Sequence, residues 1–191
     1  DEAFAGYNAW ALLHYGVDSS GYHNPVYFTA WGSGMNALES YLMIPFVALF
    51  GTGTAVLRLP QALMACLSLI CVYDLGKHIS GRRFALCAVA VLATSPWHIM
   101  MARWALESNL SPAFLLLGLC FFMRGLSRGR WLYASAAAYG FSLYTYATIW
   151  PIVPILVLAQ AAYALWMKKL RLRNLIGPAL VLFLLALPLL W

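Results

Sequence analysis

Two of the six carboxylates in this 191-residue chain stand side by side at its start, Asp1 and Glu2. In a loop or extended segment, neighbouring side chains point different ways, so one can reach a substrate while the other contacts protein. A carboxylate placed like that can take a proton from a hydroxyl, which is general-base work. The plainer reading is an acidic pair at a helix start, where the helix dipole favours negative charge. A further acid, Glu107, follows Arg103 by four residues. On a helix the two share a face and can pair. The pair reads either as a structural salt bridge or as an arginine for a lipid phosphate beside a second carboxylate facing the same cavity. Arginine suits phosphate because its planar fork donates two parallel hydrogen bonds. Arg58 precedes Leu59 and Pro60, and snorkelling to the headgroups explains it without function. Asp74 lies one turn from Lys77 and His78, which suggests a local ion pair. His98 stands two residues beyond Pro96 and reads as an interfacial aromatic or as a site residue. His14 and His23 show no zinc spacing.

The elements that must position these residues belong in a bilayer. Charged residues make up 9% of the chain and hydrophobic ones 63%. The average soluble domain carries ~25% charged residues, so about 48 would be expected, against the 18 present. That excludes a soluble domain, a disordered tail and a disulfide scaffold. Aromatics at 15%, including eight Trp, suit anchoring at two membrane interfaces. Cys66, Cys71, Cys87 and Cys120 all sit in apolar runs without a C-x-x-C pair and read as small buried hydrophobes. The net charge of +6 is not a nucleic-acid footprint, because no aromatic-interleaved basic face exists.

Six stretches have the composition of membrane spans: 59–76, 84–101, 108–123, 131–149, 152–167 and 175–191. Residues 1–58 form a separate unit with four of the six acids. In it, Phe4, Tyr7, Trp10, Ala11 and His14 recur at helical spacing, which predicts an interfacial helix over 3–15. A second such helix is expected over 35–50, because Leu42–Phe50 is apolar but too short to cross and contains Pro45. Two surface helices over one bundle make a roof that can enclose a site between lipid and water. Ten of the twelve basic residues fall in three loops: Lys77, Arg82 and Arg83; Arg124, Arg128 and Arg130; and Lys168, Lys169, Arg171 and Arg173. If 1–58 is extracytoplasmic, all three clusters face the cytoplasm, as the positive-inside rule requires. If 37–57 crossed instead, all ten would move outside. The 102–107 and Trp150-Pro151 turns then lie outside with residues 1–58. The chain is expected to be a single domain truncated at both ends, since it opens directly in an extracytoplasmic loop.

The stretch from Asp1 to Gly21 resembles the first extracytoplasmic loop of membrane glycosyltransferases with the GT-C fold, near the bacterial relatives of the protein O-mannosyltransferases and the aminoarabinose lipid A transferase. Stretches 24–42, 50–60, 95–110 and 144–151 match in order, so the resemblance covers most of the chain. It implies an all-α polytopic helical bundle with extracytoplasmic juxtamembrane helices. It also implies transfer of a sugar from a polyprenyl-phosphate donor to a lipid, glycan or protein acceptor on the outer face of the cell membrane. The D-E motif maps onto Asp1, the expected base, with Glu2 beside it, and the R-x-x-x-D/E motif onto Arg103 and Glu107. The catalytic candidates are therefore Asp1, Glu2 and Glu107, and the substrate-binding candidates Arg103, Arg58, Tyr7 and His98. Many relatives carry a Lys-Pro-Pro-like element where this chain reads Gly34-Met35-Asn36, and Met35 cannot serve a phosphate. One base and no nucleophile predicts a single displacement with inversion. No cofactor is expected, and the sequence supports no metal cluster. Beside membrane lipids, no nucleic acid is expected as a partner. Two rivals are a transporter or flippase of a lipid-linked sugar, which would not need Asp1, and a non-catalytic scaffold subunit.

Overall fold

A computed structural model describes residues 1–30 and 32–190. Eight α-helices run through the described residues, with a short hairpin near the start. Helix α1, Glu2–Tyr15, ends at Gly16 in the left-handed conformation. Strands β1, Tyr27–Ala30, and β2, Ser33–Asn36, pair antiparallel with Phe28 opposite Met35. Helix α2, Leu38–Phe50, follows at once and ends at Gly51. Then come α3, Thr54–Thr94; α4, Pro96–Ala102; a 3-10 turn, Glu107–Leu110; α5, Ser111–Gly125; α6, Arg130–Ser142; α7, Ile149–Trp166; and α8, Arg173–Ala186, with a closing 3-10 turn, Leu187–Leu190.

The 41 residues of α3 are two helices joined without a loop. Ser80 leaves helical geometry, and Gly81 has φ 83° and ψ −177°, a conformation open only to glycine. The chain doubles back there. A Cβ on Gly76 would come 2.9 Å from the Ala85 Cα, whereas nine residues of straight helix would separate the two by ~13 Å. The expected spans 59–76 and 84–101 thus meet at a two-residue reversal. The second half breaks again at Ser95 before Pro96 opens α4.

Among the described residues, three helices are long and apolar enough to cross a membrane: α3, the 19-residue unit Glu107–Gly125, and α7. Where a span is expected over 131–149, the helix stops at Ser142, and turns over 143–148 carry the chain into α7. Trp150 and Pro151, expected as a turn, are therefore the second and third residues of α7. Large apolar side chains such as Ile70, Val91, Ile155, Trp166 and Phe183 stand exposed, as lipid-facing residues do.

The interior is joined by small residues and buried hydroxyls, the usual means of helix contact where the surroundings are as apolar as the side chains. Ser135 on α6 donates to the Gly118 carbonyl of α5 at 2.7 Å. The Gln160 amide of α7 donates to the Tyr139 hydroxyl of α6. Ser111 and Thr145 hydroxyls meet at 2.7 Å, which fixes the 143–148 turns against the start of α5. Asp74 pairs with Arg124 at 3.1 Å as well as approaching His78, and the Arg124 guanidinium lies 5.6 Å from the Trp131 ring centroid.

The second core belongs to residues 1–58. Ala5, Ala9, Phe28, Met35, Met43, Val47 and Ala105 form one buried cluster that joins α1, the hairpin, α2 and the 103–106 segment. Ser40 donates to the Ala5 carbonyl at 2.9 Å, Tyr41 to the Pro25 carbonyl at 3.0 Å, and the Ser19 amide to Asn8 at 2.8 Å. The hairpin was not expected. Met35 sits in its second strand, so α2 begins at Leu38, three residues after the expected start at residue 35.

Candidate functional site

Glu2 is the first functional side chain that the fold commits. Its Oε1 accepts from Arg58 Nε at 2.8 Å and from the Ala105 backbone N–H at 2.7 Å, while Oε2 accepts from Arg58 Nη2 at 2.6 Å. This carboxylate clamps the start of α1 to the start of α3 and to the segment between α4 and the 107–110 turn. The Arg58 guanidinium, aided by the Ala105 N–H and opposed by burial, holds the Glu2 carboxyl below the usual range. Arg58 is thereby a partner of Glu2.

The same clamp separates Arg103 from Glu107. In a continuous helix the Ala105 N–H would bond to the Met101 carbonyl; here Glu2 takes it, and Ala105 is fully buried. The chain leaves the helix at Ala102, Arg103 stands exposed at the end of α4, and Glu107 opens the 3-10 turn. The expected i,i+4 ion pair is not formed among the described residues. Glu107 instead accepts from the Asn36 backbone N–H through Oε2, which ties the turn to the end of β2.

These ties shape a cleft of ≈ 340 Å³. Asp1 and Phe4 line it from α1 and its N-cap; Ala30, Gly34 and Met35 from the hairpin; Leu106, Glu107 and Ser108 from the turn; and Tyr146 from the 143–148 connection. Asp1 is exposed and makes no side-chain capping bond to α1. Two carboxylates, Asp1 and Glu107, therefore face one space, with two hydroxyls, Ser108 and Tyr146, beside them. Among the described residues, no Lys, Arg or His lines the cleft. Two other hollows, ≈ 280 and 240 Å³, are lined by no carboxylate or cation among the described residues.

Of the seven expected site residues, the cleft brings together Asp1 and Glu107. Glu2 and Arg58 form the ion pair behind it. Arg103, His98 on α4 and Tyr7 are outside its lining; Tyr7 is exposed and packs against Trp10 with ring centroids 6.2 Å apart. Among the described residues, no group of three or more His, Cys, Asp or Glu could hold a metal ion.

Three residues were missed from sequence. Tyr146 sits in the 144–151 stretch, which enters the sequence reading only through the family resemblance. Asn36 and Glu39 are 2% and 1% exposed, and the Asn36 Oδ1 and both Glu39 carboxylate oxygens have no hydrogen-bond partner among the described residues. Burial first, then the charges of Glu107 and Glu2, push the Glu39 carboxyl up to about 8. A signal existed: Glu39, Met43 and Val47 recur every four residues, one stripe of a helix, and that stripe is the buried one.

Neither the curated proteins nor the solved structures gave a match. Residues 38–191 match the family model of the dolichyl-phosphate-mannose-protein mannosyltransferases. On that match over most of its length, together with the apolar helical bundle, the chain belongs to this family of GT-C membrane glycosyltransferases.

Proposed function

We propose that the cleft moves a sugar from a polyprenyl-phosphate donor to an acceptor hydroxyl on the extracytoplasmic face, with Asp1 as the base. One observation carries the reading: the fold ties up Glu2 with Arg58 and Ala105 while leaving Asp1 open to the cleft opposite Glu107. Of two adjacent acids, one builds the site and the other is free to act in it.

The transfer is a single displacement. Asp1 takes the acceptor's proton as that oxygen bonds to the anomeric carbon. The bond from that carbon to the phosphate oxygen breaks, and the carrier phosphate leaves with the electron pair. The leaving group is already anionic, so it needs charge stabilisation more than a proton. Attack opposite the leaving group inverts the anomeric centre. With Met35 in the cleft wall and no cation among the described residues that line it, this reading assigns the phosphate to Arg103, outside the lining and exposed at the end of α4. The chain order supports an outward-facing cleft. Every basic cluster lies in a reversal or connection, at 77–83, 124–130 or 168–173, remote along the helices from the segments that line the cleft.

The test is sugar release from a radiolabelled polyprenyl-phosphate sugar in membranes bearing the full-length protein. Asp1→Asn keeps size but cannot accept a proton at neutral pH, so turnover should fall by about 10²–10⁴ with donor binding little changed. Near-wild-type turnover of Asp1→Asn, with chemistry rate-limiting, would remove Asp1 from the mechanism.

A further inference from the structure

Glu39 lies among the groups that build the cleft, yet neither the clamp nor the transfer uses it. Its side chain is 1% exposed on α2, and neither carboxylate oxygen has a hydrogen-bond partner among the described residues. The Asn36 Oδ1, 2% exposed and three residues earlier, is unpartnered as well. Protonation removes the charge from this site and gives Glu39 an O–H donor in place of one of its acceptors.

Helix α2 packs against α1, α3 and the 107–110 turn. From α1 the group facing Glu39 is Glu2, and from the turn it is Glu107. From α3 the charged group in this region is Arg58, whose guanidinium is bound to Glu2. On α2 itself the nearby titratable group is Tyr41, whose hydroxyl donates to the Pro25 carbonyl. A charge on Glu39 would thus meet two carboxylates in a buried site, with the Arg58 guanidinium already paired to Glu2.

We propose that Glu39 is a positioning residue that works in its neutral, protonated form: uncharged, it lets Glu107 and Glu2 hold the turn, α2 and α1 around the cleft, and its ionisation loosens them and stops transfer. The proposal rests on the reading of the cleft as the transfer site. Burial and the two neighbouring carboxylates keep Glu39 protonated until about pH 8, so loss of transfer belongs on the alkaline side.

The experiment is a pH–rate profile of the full-length protein in membranes, together with an infrared titration of its protonated carboxyl band in detergent. Glu39→Gln mimics the neutral acid and cannot ionise. It should keep neutral-pH kcat within about threefold of wild type and lose the alkaline limb, while Glu39→Asp should restore a limb. Burial also pushes the Glu107 carboxyl up to about 7, so the component to follow is the one that titrates away near pH 8; it should be present in wild type and missing in Glu39→Gln, while the Glu107 component stays. An unchanged alkaline limb in Glu39→Gln overturns the proposal, as does a component near pH 8 that is absent from wild type or survives in Glu39→Gln. If Glu39→Gln does not fold, the wild-type infrared titration and Glu39→Asp decide. If the wild type transfers no sugar, the reading of the site fails, and the infrared titration still judges Glu39.

Discussion

Phe28 is the residue on which one wall of the cleft stands. An isolated two-stranded hairpin is marginal in water, and here each strand has only four residues. On β1, Tyr27 and Thr29 point out to solvent, while Phe28 is fully buried opposite Met35 and meets the Phe4 ring edge-on at 6.1 Å. Truncation of a buried Phe to Ala costs ~3–5 kcal/mol, part of it the edge-to-face contact at ~0.5–1.5 kcal/mol. That exceeds what the few remaining hairpin hydrogen bonds can supply at ~1 kcal/mol each. Phe28→Ala should therefore release the hairpin while the bundle stays folded. Amide hydrogen exchange in detergent should show protection at 27–36 falling by about 10²–10⁴-fold, the equivalent of that loss, with α5 and α6 unchanged. Donor affinity should weaken with the wall gone. If hairpin protection survives in Phe28→Ala, or if α5 and α6 lose protection with it, the hairpin is not a unit held by this side chain.

The remaining expectations concern pH, packing and topology. An unfolded Glu39 loses its proton above 4.5 while the folded one keeps it to about 8; stability should therefore fall as pH rises through that window, by at most ~5 kcal/mol. Glu2 works the other way: its pKa is lowered in the fold, so its contribution is present above the ordinary value and lost as pH falls through the lowered one. Thermal unfolding across pH should show a slope between 4.5 and 8 that Glu39→Gln flattens, and equal slopes would refute the assignment. At Gly118 a Cβ would come 2.3 Å from the Tyr139 ring, which Gln160 holds by its hydroxyl. Gly118→Val should then cost ~1–3 kcal/mol or more by overpacking, read as a lower Tm, and an unchanged Tm would show that α5 and α6 can part freely. In a cysteine-free background, an impermeant thiol reagent should label Ser19→Cys and not Ser127→Cys in intact cells; labelling at 127 would invert the topology.

Much of the helical frame could be read from composition and periodicity, because runs of apolar residues between charge clusters leave a bilayer protein few alternatives. The helix over 3–15 and the reversal between 76 and 84 were legible for that reason. The hairpin was not: a four-residue strand offers one inward residue or two, too few for alternation to stand out, and its glycines read as loop. The Arg103–Glu107 spacing misled for a tertiary reason. Nothing between 103 and 107 breaks a helix, but Glu2 removes the Ala105 N–H from it across 103 residues of sequence. Asp1 and Glu107 could be named because their types and motif spacing carry chemistry. Glu39 falls within the interfacial helix expected over 35–50, and only packing reveals that it faces inward.

The Glu2 clamp also dates the cleft within the life of the nascent chain. Its two ends are 103 residues apart, and ribosomes add ~5–20 residues per second. The first helix must therefore wait roughly 5–20 s for the backbone amide that completes it. During that interval Glu2 has no Ala105 to hold, and the faces of α1 and α2 that Ala105 will cover are open to whatever assists membrane proteins during synthesis. The cleft cannot be completed before Ala105 has been made, and a ribosome that pauses soon after residue 58 would prolong the stage at which this roof is most exposed to misassembly.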